Sequence, residues 1–258
     1  MFDAIKLRKQ HGYQAIRDIR IATVKAPFRG FPVLNGEECG LSCHACTAVC
    51  PTGAIAIEPL QIDLGRCTFC GECERICSVG AIRFNTTHNL ASANRNALII
   101  QSGQTLESFR EIAIQSRRKI HRLFGRSLKL RQVSAAGCNG CEMELNAANN
   151  VNFDMGRFGI EFVASPRHAD GIVITGPICR NMAPALKDAY LSIAEPRIVI
   201  AVGACAISGG IFADSTQLDR SFLDEVPVDL YIPGCPPHPL TIIHGLLDFL
   251  QIFCSSGD

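Results

Sequence analysis

The sequence predicts two unequal folded units: a small α+β unit near the amino end, and a larger α/β domain on a parallel sheet in the carboxyl half. Three observations predict it. Of 14 cysteines, 12 fall into ordered groups. Cys43, Cys46 and Cys50 recur 27 positions later as Cys70, Cys73 and Cys77, and Gly53-Ala54-Ile55 recurs as Gly80-Ala81-Ile82 at the same offset. Such a repeat implies two similar substructures packed together. Beyond residue 130, apolar runs alternate with polar or helical stretches, as in strands joined by crossover helices.

Taken in order, residues 1–29 read as a helical arm followed by an extended segment that ends in Phe28-Arg29-Gly30-Phe31-Pro32. No signal-peptide pattern opens the chain, because its first ten residues mix charged and apolar side chains without an apolar core. Residues 30–90 hold the repeat. Residues 91–130 read as a basic helical linker without cysteine; the stretch 108–130 carries Arg117, Arg118, Lys119, Arg122, Arg126 and Lys129 among Ile112, Ile114, Ile120, Leu123 and Phe124. It is either a solvated connecting helix or a helix that docks on an anionic partner or a membrane interface. In residues 131–258 the expected strands are 160–163, 171–175, 197–202 and 228–232, and the expected helices are 183–194 and 239–252. Ligands of such sheets gather at the carboxyl ends of strands, where Cys205 and Cys235 fall.

Composition sets the bounds. Hydrophobic residues at 47% and charged residues at 19% suit a folded chain. A net charge of +1 gives no global attraction to nucleic acid. The longest apolar run, 240–254, is interrupted by His244, Asp248 and Gln251 and is too short and polar to span a bilayer. Without an export signal or a small loop-rich scaffold, cysteines two or three residues apart read as thiolate ligands in a reducing compartment, not as disulfides. No glycine-rich nucleotide fingerprint points to NAD or flavin.

The second half-repeat, Cys67-x2-Cys70-x2-Cys73-x3-Cys77, lets three thiolates wrap one cluster while the fourth turns to its neighbour. The first half-repeat reads Cys39-x3-Cys43-x2-Cys46-x3-Cys50-Pro51. The swapped arrangement gives one [4Fe–4S] cluster to Cys39, Cys43, Cys46 and Cys77, and another to Cys67, Cys70, Cys73 and Cys50. Over roughly 30–85 this resembles the bacterial-type 2[4Fe–4S] ferredoxin domain. The chain departs from that pattern in the extra residue after Cys39, which leaves a [3Fe–4S] centre as the alternative there, and in Ser78 where proline usually follows the fourth cysteine. Zinc is the competing metal; structural zinc sites more often use paired Cys-x2-Cys knuckles.

The carboxyl half offers Cys138-Asn139-Gly140-Cys141, then Gly203-Ala204-Cys205, then Pro233-Gly234-Cys235-Pro236-Pro237. Four thiolates from one tight turn and two strand-end loops can converge on a third cubane. These segments, with Ser165-Pro166-Arg167-His168-Ala169-Asp170 and the run from Gly203 through Phe212, resemble the small subunit of membrane-associated energy-converting [NiFe]-hydrogenases, including formate hydrogenlyase, and the related 20 kDa-type subunit of complex I. In complex I the first two cysteines are adjacent; here Asn139-Gly140 separates them, the hydrogenase-like spacing. The chain thus resembles a fusion of two neighbouring electron-transfer subunits, with a flavodoxin-like α/β domain behind a two-cluster ferredoxin domain.

The resemblance implies an electron-transfer subunit with three [4Fe–4S] clusters, the one at Cys138, Cys141, Cys205 and Cys235 nearest a catalytic partner. It implies no catalytic residue in this chain. Expected partners are a [NiFe]-hydrogenase large subunit or its complex I-like counterpart, integral membrane subunits, and a donor or acceptor protein; nucleic acid is not expected. The expected place is cytoplasmic, peripheral on the inner face of the membrane. The alternatives are a quinone-reducing complex I-like assembly and a stand-alone carrier or redox sensor. Glu142 and Glu144 flank the cluster loop, in a proton route or in surface and capping roles. Arg167 and His168 either tune the third cluster or pair structurally, and Cys179 and Cys254 read as small buried apolar residues.

Overall fold

The 27-residue offset reappears in the backbone. The computed structural model describes residues 2–12, 14–39, 43–113, 124 and 127–251. Helix α2 (Ala45–Val49) is matched by α3 (Glu72–Ile76), and strand β2 (Ile55–Ile57) by β4 (Ile82–Phe84), each pair at that offset. The two short helices pack on each other. β4 pairs antiparallel with β1 (Pro32–Leu34), and β2 pairs antiparallel with β3 (Leu60–Asp63). Cross-strand hydrogen bonds are the reason such short strands persist: each is too brief to hold its own geometry.

The stretch expected to start a helical linker begins differently. Residues 99–101 form β5, which pairs with β3 and places Ile100 wholly out of water. Helix α4 covers Leu106–Ala113, where Phe109 and Ala113 face the core. Residues 114–123 and 125–126, with Arg117, Arg118, Lys119, Arg122 and Arg126, lie outside the described residues. At the far end, 128–130 belong to a strand, β6 (Leu128–Ser134), not to the expected helix. The period is two there: Leu128 and Leu130 are fully buried while Lys129 is exposed. Basic side chains on the outward positions made this strand look like part of a polar helix.

β6 is a central strand of a five-stranded parallel sheet. The others are β7 (Ile160–Phe162), β8 (Gly171–Thr175), β9 (Ile198–Val202) and β10 (Leu230–Ile232), in the spatial order β10-β9-β8-β6-β7. β8 and β9 are buried at every residue because helices cover both faces, so their runs are continuously apolar. β10 is two residues shorter at its start than expected: the Asp229 carboxylate accepts the Val199 N–H in place of a ladder carbonyl. The chain leaves β6 for β7 on one side and returns to β8 on the other, so the strand order reverses at β6. In doubly wound sheets that reversal opens a crevice at the carboxyl ends.

The covering helices are α5 (Gly140–Ala148), α6 (Ala183–Leu191), α7 (Ala204–Ser208), α8 (Ser221–Glu225) and α9 (Pro239–Phe249). α9 is buried on nearly all sides. α5 packs on it, and the loop 88–92 from the small unit crosses it. A Cβ on Gly245 would stand 2.5 Å from the Ala91 Cβ, so only glycine lets that loop lie so close. His88 meets the His244 ring edge-on at 4.6 Å between centroids, and the His244 Nε2–H donates to the Ile19 carbonyl at 2.6 Å. Ser92 and Tyr231 exchange both backbone hydrogen bonds. One apolar cluster runs unbroken from Phe31, Ile62 and Leu98 to Ile172, Val199 and Ile207, so the two units share a core. The amino-terminal arm begins as α1 (Phe2–His11), exposed along its length from Asp3, and continues through a 3-10 turn at Ile19–Ile21. Among the described residues no helix is long and apolar enough to cross a membrane.

Candidate metal centres

Gly71 caps the start of α3 with a φ of +79°, open to glycine at little strain, and this turn sets Cys70 and Cys73 on either side of it. Cys50 caps the end of α2. Together with Cys67 these four thiols line one cavity, closed off by Ala54, Ile55, Ile62 and Phe84. Backbone N–H groups donate to the sulfurs, from Ala54 to Cys50 at 3.2 Å and from Phe69 to Cys67 at 3.3 Å. Burial pushes the Cys67 and Cys73 thiols up to about 12, and the charges of Cys50 and Cys70 add to the rise. Ionised together without a cation, such thiols would repel one another in a dry setting; a bound metal cluster reverses that balance and deprotonates them.

The first half-repeat is built alike. Cys46 is buried on α2, and burial raises its thiol, with Cys39 and Cys43 contributing. Cys77 caps α3 and accepts the Ala81 N–H at 3.2 Å, the counterpart of the Ala54–Cys50 bond. Residues 40–42, the lengthened loop after Cys39, lie outside the described residues. Among the described residues no three of Cys, His, Asp and Glu converge closely enough to hold a single metal ion; the Cys50, Cys67, Cys70 and Cys73 thiols instead surround a space.

The third group stands at the carboxyl ends of β6, β9 and β10. Cys138 follows β6, Cys141 sits in the first turn of α5, Cys205 in the first turn of α7, and Cys235 in the loop after β10. Cys138, Cys205 and Cys235 all act on Cys141, which burial, foremost, pushes up to about 12. Burial pushes Cys205 up to about 11, with Cys235 and Cys138 adding and Arg220 opposing. Glycines make room for the sulfurs: a Cβ on Gly203 would lie 2.5 Å from Cys141 Sγ, and one on Gly210 would lie 2.9 Å from Cys205 Sγ. Cys235 is raised by burial, then by Cys138, and then by Cys70 of the small unit. The second and third thiol groups are therefore neighbours across the shared core.

Around this group the sequence expectations fare unevenly. Glu142 is buried, and Thr175 Oγ1 donates to its Oε1 at 2.7 Å. Burial pushes its carboxyl up, but the Ser134 and Thr175 hydroxyls outweigh that and hold it below the ordinary value. Burial raises Glu144. Arg167 and His168 do not belong to the site: their 3-10 turn, Pro166–His168, precedes β8, so they stand at the amino edge of the sheet while the cysteines stand at the carboxyl edge. The five residues of β8 separate the two edges by roughly 16 Å. Cys179 is half-buried and bridged through its backbone to Leu218; Cys254 lies outside the described residues. Sequence reasoning missed Arg220, whose guanidinium reaches the Cys205 loop from a stretch with no motif. It also missed Arg29, which lies over Gly71; the Phe28-Arg29-Gly30 segment was its only signal.

The family described as NADH ubiquinone oxidoreductase, 20 Kd subunit, matches residues 138–249, and the 4Fe-4S binding domain family matches residues 60–83. A Pyrococcus furiosus protein named "Probable membrane-bound hydrogenase subunit mbhJ" is 40% identical over 130 residues, 50% of this chain and 78% of that protein. An NADH-quinone oxidoreductase subunit of Clostridium beijerinckii is 49% identical over 108 residues, 42% of this chain and 64% of the relative. Formate hydrogenlyase subunit 7 of Escherichia coli is 48% identical over 121 residues, 46% of this chain and 47% of the relative. Each likeness covers half of this chain or less, and the chain spans under two thirds of the last two relatives.

Proposed function

Because the chain belongs to the NADH ubiquinone oxidoreductase 20 Kd subunit family, we propose that it is the electron-transfer subunit of a membrane-associated [NiFe]-hydrogenase assembly of the formate hydrogenlyase kind. Its partners would be the nickel-bearing large subunit, integral membrane subunits and a donor or acceptor protein, with this chain peripheral on the inner face. In this reading Cys39, Cys43, Cys46 and Cys77 hold one [4Fe–4S] cluster, Cys50, Cys67, Cys70 and Cys73 a second, and Cys138, Cys141, Cys205 and Cys235 a third. The small unit is then a bacterial-type two-cluster ferredoxin fold. The larger one is flavodoxin-like, an assignment supported by its strand order.

The observation that carries the reading is continuity. Cys50 joins the second half-repeat around one cavity, and Cys70 stands near enough to Cys235 to raise its thiol. The thiol groups thus form a series in which the Cys50 group lies next to the Cys138 group, with the Cys39 group outermost. A [4Fe–4S] cluster supplies one-electron exchange at a potential set by burial and hydrogen bonds. The chain's own work is to bury the thiolates, aim N–H groups at them and keep the three sites in order.

The near-equal identity to the NADH-quinone oxidoreductase relative, 49% against 48% for the formate hydrogenlyase one, supports a second reading, quinone reduction by a complex I-like assembly. Metal analysis of the complex, purified anaerobically through a tag on this chain, separates the two. Three cubanes predict about 12 irons in this chain, and the hydrogenase reading predicts one nickel per complex besides. An iron-replete complex without nickel refutes the hydrogenase reading in favour of the quinone one; zinc in place of iron refutes both.

A further inference from the structure

Arg220 lies in no motif, yet its partly buried guanidinium ties together two loops at the third thiol group. Nη1 donates to the Pro177 carbonyl at 3.0 Å and to the Cys205 carbonyl at 3.0 Å, and Nη2 donates to the Ala206 carbonyl at 2.8 Å. The backbone on either side repeats the clasp: the Asp219 N–H donates to the Ile178 carbonyl at 3.0 Å, and the Arg180 N–H to the Gln217 carbonyl at 2.9 Å. Residues 217–220 thus strap the loop after β8 to α7, which carries Cys205. A planar fork suits three diverging carbonyls as a lysine ammonium does not.

The carbonyls satisfy the N–H groups without cancelling the charge. The charges acting on the guanidinium are those of Cys205 and Asp224, and Asp224 is exposed. A positive charge therefore stands, partly out of water, on the backbone of Cys205, and it acts on that thiol against the effect of burial.

We propose that Arg220 is a positioning residue for the third cluster: its fork fixes the Cys205 loop, and its charge raises the reduction potential of the group held there. The inference rests on the cluster reading above. A reduced cluster carries one more negative charge than an oxidised one, so a nearby cation favours reduction. A unit charge about 10 Å from the cluster centre, at an effective dielectric of about 20, shifts the equilibrium by about tenfold. For a one-electron couple that is about 59 mV.

The test is a redox titration of the anaerobically purified complex. It is followed by electron paramagnetic resonance on the signal that Cys205→Ser abolishes. If wild type shows no such signal, the cluster reading fails before Arg220 is tested. Given the signal, Arg220→Gln is expected to lower its midpoint by about 59 mV with iron content kept, while Arg220→Lys stays near wild type. An unchanged midpoint in Arg220→Gln, or an equal fall in Arg220→Lys, overturns the electrostatic role. Should Arg220→Gln lose the cluster, the exposed Asp224→Asn decides: removing that opposing charge is expected to raise the midpoint, and an unchanged or lowered value overturns the proposal.

Discussion

Replacing Gly203 by alanine probes how closely the third site is fitted to its sulfurs. Gly203 adopts φ +89° and ψ 156°, a region essentially confined to glycine, so any Cβ there costs about 1–3 kcal/mol in backbone strain. That Cβ would also stand 2.5 Å from Cys141 Sγ, against an ordinary contact of roughly 3.5–4.0 Å. The sulfur must move by about 1 Å, several times the tolerance of about 0.2 Å in a metal–ligand bond. Cys141 is fixed in the first turn of α5, beside the buried Glu142. The expected result is loss of the third cluster, iron falling from about 12 to about 8 per chain, with stability lower by about 1–3 kcal/mol. Gly103→Ala is the control: Gly103 also has positive φ, +78°, but no atom lies within 4 Å of its added Cβ. It should pay the backbone cost and keep its iron. Full iron and an unaltered spectrum in Gly203→Ala would refute the steric argument.

Other outcomes follow from the same geometry. Cys50→Ala should remove about four irons while leaving the spectrum of the Cys138 group intact, and Cys179→Ala should remove none; iron and acid-labile sulfide assays check both. Asp248 is pushed up from 3.8 to about 6, mainly by burial, with Arg110 opposing. The folded chain therefore holds the Asp248 proton to higher pH than the unfolded one, and stability from this group falls as pH rises from 3.8 through 6. Asp248→Asn should raise the unfolding midpoint at pH 8, by about 3 kcal/mol in stability, and change little at pH 4. His88 is pushed down to about 3, first by burial and then by His244, His238 and Arg110. The unfolded chain takes up that proton first, so stability falls as pH drops from 6.5 toward 3; His88→Phe should flatten the acid limb of a stability–pH profile, and an unchanged limb counts against it.

How much was legible depended on whether a residue's role is local. Continuous apolar runs gave away β8 and β9, since burial on both faces leaves a pattern in the chain itself. β6 hid because Lys129 and Arg131 decorate its alternation, and β5 because three residues carry no period. The thiol groups were legible because the cysteines recur at fixed short spacings in the chain itself. Arg220 was not: it acts on Cys205 from 15 residues away, through carbonyls that leave no trace in residue type. Arg167 and His168, read either as tuning the third cluster or as pairing structurally, lose the first alternative: the segment is distinctive and near the cysteines' strands, but at their amino ends.

The charge of Cys70 reaches Cys235, and on the cluster reading this gives the shared core a role. Two units joined by a flexible tether would hold their redox groups at varying distance, and electron exchange between buried centres weakens steeply as they part. Here the Ser92–Tyr231 exchange, the His88–His244 contact and the Ala91–Gly245 approach bind the loop after β4 to α9 and β10. α9 begins four residues beyond Cys235, and β4 begins five residues beyond Cys77. The interface is thus anchored close to Cys235 on one side and Cys77 on the other. Bulk at Gly245 tests this directly. Gly245→Val drives a side chain into Ala91, whose Cβ is already 2.5 Å from where a Cβ would sit. All three clusters should still assemble, since no thiol touches the change. Magnetic coupling between the Cys50 and Cys138 groups should weaken, and turnover of the complex with it. Coupling and turnover equal to wild type would show that the thiol groups keep their spacing without this seam.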